Sequence, residues 1–210
     1  MRAHCRTLLG AFVACLFAAS PSLANDAPAS AAAAFIEARG AALKEVLDSD
    51  LPASEKRERV ASILRDAVDV QGVGQFVLGR HWRTASEANR TEYLRLFEAT
   101  LIRNLSARFG ELKGLRFSVV RAQPRGEDGV MVNTLVEFPG QAPAQLDWLV
   151  SFASGRPLIV DLVAEGTSLR ITQRSEYSAV IQRGGGRLDS LLDAMRRQLS
   201  ALEQKELAQN

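Results

Sequence analysis

The sequence predicts an α+β domain in which an antiparallel sheet of about four strands packs against helices, and three observations predict it. Apolar residues recur at helical spacing as far as the stretch GELKG, Gly110 to Gly114. Beyond it the period drops to two through four segments joined by turn-rich connections. After Leu169 helical spacing returns, and no internal repeat interrupts the order helices, sheet, helices.

Arg2 and Arg6 open the chain, followed by an apolar run from Leu8 to Ala19 and then SPSLAND, where Ser22 and Ala24 are the small residues signal peptidase prefers. Residues 1–24 are therefore expected to be a secretory signal peptide cleaved after Ala24. The apolar run is too short to span a bilayer, and no later segment has the ~20 apolar residues of a transmembrane helix. The mature protein is expected to be soluble and exported. A competing lipoprotein reading would lipidate Cys15, but Phe12 stands where a lipobox has leucine, and cleavage there would leave LFAAS exposed.

Cys5 and Cys15 both fall in the signal, so disulfides, cysteine nucleophiles and thiolate metal sites drop out of the mature chain. Losing Arg2 and Arg6 takes the formal charge from +2 to 0. A neutral chain with few aromatics lacks the footprint of a nucleic-acid binder. About 186 residues remain, enough for one compact domain.

Residues 25–34 are rich in Ala, Ser and Pro and read as a loose leader, with a single domain over 35–210. Ile36, Leu43, Val46 and Leu47 recur at helical spacing. A second helix follows LPAS, with Ser54 as its expected N-cap and Val60, Ile63, Leu64, Ala67 and Val68 on one face. A short helix is expected from Val73 to Trp82. The strongest starts near Thr84 to Ser86, where Thr84 and Glu87 have capping-box spacing. Tyr93, Phe97, Leu101, Leu105 and Phe109 then repeat every four residues, widened by Leu94 and Ile102.

Strands are expected from Phe117 and Val119, from Val130 to Phe138, from Gln145 to Phe152, and from Leu158 to Ala164. The short connections PRGEDG and PGQAP argue for an antiparallel meander with one buried face. In the returning helices, Tyr177, Val180 and Ile181 precede a glycine turn at Gly184 to Gly186. Leu188, Leu191, Leu192, Met195, Leu199 and Leu202 then form the last stripe.

Familiar chemistries find little support. His81 is the only histidine outside the signal, and no G-x-S-x-G elbow or cysteine accompanies it. A lone histidine cannot supply a His-rich metal site, and an amphipathic ring beside Trp82 is the plainer reading. GVGQFVLG misses the G-x-G-x-x-G spacing and follows a helix, which argues against dinucleotide binding. RGGGRLDS lacks the Gly-Lys-Ser/Thr ending of a phosphate loop. Asp161, Glu165 and Arg174 gather near the end of the last strand; an internal ion pair is favoured there over an anion site.

Apolar supply is the unusual feature. Val119, Val132, Val136, Leu146, Trp148, Val150 and Phe152 face helices that are themselves richly apolar. That permits an ordinary core or a lipid pocket. Two long acyl chains represent about 25 kcal/mol of exposure to water, which only a nearly continuous apolar lining offsets.

FVLGRHWRTASEANRTEYLRLF resembles the segment FVLGRYWRTATPEQRQEFxxLF of the MlaC, or toluene-tolerance, family, and IVDLVAEGTSLRITQRSEYSAVIQRGG is similar to that family's YDVxIEGVSLxxxYRSQFxxxxxxxG. The similarity extends over nearly all of the mature chain. It implies a curved antiparallel sheet enclosing an apolar cavity with the helices, in a periplasmic carrier without catalysis or cofactor, its bound lipid being cargo. The implied partners are phospholipid, an inner-membrane ABC transporter complex with its membrane-anchored substrate-binding subunit, and an outer-membrane lipoprotein complex. A monomer is expected, with no nucleic acid and no metal. Gly155, Arg156 and Pro157 stand where the family commonly has Gly-Trp-Lys. TQRSEY and the longer glycine turn look more like the hopanoid-associated HpnM branch, which leaves the cargo open between phospholipid and hopanoid.

Phe76, Phe97, Leu101, Val132, Leu146, Trp148, Val150 and Phe152 are the expected cargo-facing wall, with Arg80 or Arg174 at the mouth as head-group or structural residues. Two rivals come from other classes. One is an enzyme using Asp147, Tyr177 or His81 on a small apolar substrate. The other is an envelope interaction module with a filled core, held together by its terminal helix.

Overall fold

The computed structural model describes residues 27–207. The expected signal peptide lies outside them. Helices α1 (Ala27–Asp48), α2 (Ala53–Ala67), α3 (Val70–Leu78), α4 (Arg80–Thr84), α5 (Glu87–Ser106) and α6 (Phe109–Leu112) precede the sheet. Its strands are β1 (Arg116–Pro124), β2 (Val130–Glu137), β3 (Ala144–Ser151), β4 (Leu158–Ala164) and β5 (Thr167–Ser168). Helices α7 (Leu169–Arg183) and α8 (Leu188–Leu207) follow. Every neighbouring pair of strands is antiparallel in the order β1-β2-β3-β4-β5, so the fold is α+β. The sheet has five strands where about four were expected; β5 is only two residues long and escapes a periodicity of two.

Local expectations meet four further corrections. Residues 27–34 are not a loose leader but the first turns of α1, with Ala29 and Ala32 buried. Alanine has the highest helix propensity, and its small side chain lets a helix lie close to a sheet. Helix α2 starts at Ala53 behind Pro52, with no side-chain cap, so Ser54 is not its N-cap. The helix expected over Val73 to Trp82 is two helices broken at Gly79, whose φ of 57° and ψ of −126° suit glycine alone. Ser86, not Thr84, caps α5, its hydroxyl accepting from Asn89 N at 3.2 Å.

Cross-strand register sets the two faces of the sheet. Val130 pairs with Val150, Val132 with Trp148 and Thr134 with Leu146, so these six share one face. Phe117, Val119 and Ala122 of β1 continue it, and a bulge at Val120 leaves that valine 65% exposed. Helix α1 covers the first half of this face through Ala29, Ala32 and Ile36. Gly40 permits the approach, since a Cβ there would meet the Phe117 ring at 2.7 Å. The opposite face is mixed, Asn133 and Asp147 alternating with Met131, Leu135 and the buried Leu149. Arg121 donates to Asn133 at 2.9 Å, and Asn133 donates to Asp147 at 2.7 Å.

The apolar interior divides into three clusters. One joins α3, α5, α7 and α8 through Val77, Leu78, Tyr93, Leu96, Phe97, Ile181 and the α8 leucines. A second joins α1 to the sheet around Val130, Val132 and Val150. The third gathers Leu47, Leu115 and Val136 with Leu43, Phe109, Phe138 and Leu146. Helix α5 packs chiefly on α8, and the sheet chiefly on α1.

Candidate functional site

The half-buried apolar side chains define the candidate site. Domains usually have one contiguous core, and large aromatics are normally among its first occupants. Here Phe97 is buried at 4% exposure, whereas Phe35, Phe76, Phe109, Phe117, Phe138 and Phe152 are each only half-buried. Trp148, Leu101 and Leu146 join them.

The expected wall residues fall into separate groups. Val132, Trp148, Val150 and Phe152 come together on the inner sheet face, Val132 and Val150 being fully buried. Phe76, Phe97 and Leu101 belong to the helical cluster. Leu146 lies with the third cluster, below Trp148 on the same strand. The wall residues are thus divided between the buried clusters of the sheet and of the helices.

Polar atoms along this interior are tied back into the protein. Trp148 Nε1 donates to Thr134 Oγ1 at 3.0 Å, and the Thr134 hydroxyl donates to the Leu146 carbonyl at 2.8 Å. Thr134 is fully buried, so an otherwise costly indole N–H is satisfied and the ring is left as apolar surface. Tyr93 OH donates to the Gly74 carbonyl at 3.0 Å. Tyr93, Phe97 and Tyr177 form an aromatic trio, Tyr93 stacked on Phe97 and Tyr177 edge-on to both. Burial pushes the Tyr177 phenol up to about 12 and raises that of Tyr93 further, so both stay neutral at ordinary pH.

Charge collects at one end of the helical group. The Phe76 ring carries two guanidinium groups, Arg170 at 4.5 Å and Arg174 at 5.1 Å from its centroid. Arg170 also pairs with Asp161 at 3.3 Å. Asp161 accepts from Ser168 Oγ at 2.6 Å and from the Leu162 and Arg170 amides. The ion pair anchoring α7 thus uses Arg170; Arg174 was the residue expected there, and Glu165 sits exposed in the β4–β5 turn. Arg174 lies against Gly79, where a Cβ would be 3.1 Å from its guanidinium. Next in sequence, Arg80 is exposed and donates from Nε to His81 Nε2 at 3.4 Å. Partial burial, and then the Arg80 charge, lower the His81 pKa, favouring the neutral ring.

Sequence reading missed Arg170 and Thr134. The i, i+4 spacing of Arg170 and Arg174 was the available signal for the first. Thr134 carried none, because a polar residue in an alternating strand gives no sign of which indole it serves.

The catalytic suspects do not converge. Asp147 lies on the mixed face of the sheet, accepting from Asn133 and Gln145. Tyr177 is in the helical cluster and His81 on α4, and no hydrogen bond among the described residues joins any two of the three. Among the described residues no His, Cys, Asp and Glu cluster is suited to a metal, and no helix is long and apolar enough to cross a membrane.

The family model described as MlaC protein matches residues 40–197. Among solved structures, the fold is similar to that of a phospholipid-binding protein from Ralstonia solanacearum in complex with a phospholipid. The TM-score is 0.74 at 17% identity, covering 82% of this chain and 98% of that one.

Proposed function

This chain belongs to the MlaC family, and on that premise we propose that it is a periplasmic carrier that holds a phospholipid and shuttles it between membranes. Its stations are an outer-membrane lipoprotein complex and an inner-membrane ABC transporter with its membrane-anchored substrate-binding subunit. The chain acts by binding rather than by catalysis. One observation carries the reading: large apolar side chains on the sheet and on the helices line separate clusters and remain half-buried. The phospholipid in the Ralstonia solanacearum protein, on the same fold, supports it.

Acyl chains lie between the two groups. Trp148, Phe152 and Leu146 cover them from the sheet and Phe76 and Leu101 from the helices, with the packed Val132, Val150 and Phe97 behind them. Each methylene taken out of water contributes about 0.8 kcal/mol, so the tails supply most of the affinity and little specificity. Arg174 and Arg80 hold the phosphate at the mouth, where a guanidinium stacked on Phe76 keeps its fork ready for a bidentate partner.

Native mass spectrometry and lipid extraction of protein purified from the periplasm test this. Stoichiometric phospholipid is expected. A hopanoid in its place would reassign the cargo, and persistently empty protein would sink the carrier reading. Trp148→Asp should lower lipid occupancy more than Arg174→Ala does. The reverse order would mean that head-group recognition dominates binding.

A further inference from the structure

Only three large apolar side chains are markedly exposed among the described residues, and two of them share one helical turn: Leu169 at 45% and Ile171 at 58%. Both open α7, where burying them would have cost nothing in helix propensity. They flank Arg170, and Arg174 stands one turn beyond Ile171, close enough for the side chains to be neighbours. Arg174 packs against Gly79, which brings the start of α4 and its exposed Arg80 beside it, with the exposed Arg83 three residues further along α4. Of these four arginines, Arg170 is paired with Asp161. Among neighbouring carboxylates, Glu176 is engaged with Gln173 at 3.1 Å, Glu165 lies exposed in the preceding turn, and the exposed Glu87 follows Arg83 by four residues. Two exposed aliphatic side chains thus stand on either side of Arg170, beside the exposed Arg174, Arg80 and Arg83.

We propose that this face, the first turn of α7 with the adjoining α4, docks on the surface of a bilayer rich in anionic phospholipid. The charge selects the partner: arginines facing an anionic leaflet each strengthen binding about fivefold and hold the protein in one orientation. The aliphatic pair selects a bilayer over a protein. Two separated side chains are far short of the contiguous patch that a stable protein interface buries, yet they suit shallow insertion between head groups, with the arginine stems lying along the interface. Phe76, beneath Arg170 and Arg174, links this face to the helical side of the proposed lipid site, so a docked carrier presents its mouth to the membrane. The inference goes beyond the carrier reading, because lipid occupancy and membrane docking are separate measurements.

The experiment is flotation of the purified protein with vesicles of phosphatidylglycerol and phosphatidylethanolamine, against vesicles of phosphatidylcholine alone. Binding is expected to the anionic vesicles only, and to fall as salt rises from about 0.05 M to about 0.5 M. Ile171→Asp and Arg83→Glu should each weaken it about tenfold. Arg197→Glu, an exposed charge reversal on α8, should leave it unchanged. Circular dichroism checks that the variants fold, and native mass spectrometry should find lipid occupancy in Ile171→Asp equal to that of the parent. The proposal is overturned if anionic vesicles fail to bind, or if the variants bind as well as the parent. Binding that requires an acidic protein reconstituted in the vesicles would assign the face to that partner and equally overturn it. Parent protein that docks on anionic vesicles yet carries no lipid would count against the carrier reading alone.

Discussion

Single side chains here act through what their neighbours leave them free to do. The Tyr177 phenol is buried among Tyr93 and Phe97, and its pKa is pushed up to about 12. A raised phenol favours the neutral form in the folded state, so its contribution is fully present below pH ~10 and is lost as pH climbs toward 12. Urea denaturation between those limits should show stability falling, by about 2 kcal/mol from this group, and Tyr177→Phe should flatten the fall. An unchanged slope in the variant would place the alkaline lability elsewhere. Gly79 is a second such position. Its φ of 57° with ψ of −126° is closed to side chains, and a Cβ would also press on the Arg174 guanidinium. Gly79→Ala should therefore lower stability by about 1–3 kcal/mol, read as a shift in the denaturation midpoint. A neutral substitution would mean that α3 and α4 can rejoin as one helix.

Elements show where sequence patterns carry information and where they stop. A period of two located the four long strands, because each presents one face to α1 or its neighbours and the other to solvent or a polar ladder. The stripe of α5 was equally legible through Tyr93, Phe97 and Leu101. Residues 27–34 were not. Alanine reads as neither core nor loop, and only the sheet beneath it decides. With Ala32 fully buried against the cluster of Val130, Val132 and Val150, Ala32→Leu should overpack the contact and cost about 1–3 kcal/mol. A loose leader would tolerate it, so an unshifted melting curve would separate α1 from the fold. The candidate wall was legible as a set of apolar residues. Their division into a sheet group and a helix group was not, since periodicity reports which face is buried and never against what.

At the scale of the whole molecule, the carrier reading makes stability and cargo interdependent. On that reading, the half-buried phenylalanines realise the rest of their burial energy when the acyl chains pack against them. A ligand that binds the folded chain and not the unfolded one stabilises by RT ln(1 + [L]/Kd), about 2.7 kcal/mol when it is present at 100 times Kd. For a domain of this size that corresponds to roughly 5–10 °C in Tm. Delipidated protein should therefore melt lower than protein carrying its cargo, by about that interval, and added phospholipid should restore the difference. Trp148→Asp should melt at one temperature with or without lipid, because the charge spoils the apolar wall that the tails complete. Arg174→Ala should keep most of the lipid-dependent shift, since the tails and not the phosphate carry the burial. Scanning calorimetry on the three proteins, each with and without lipid, decides it: a lipid-independent Tm in the parent would mean that the interior is closed to cargo.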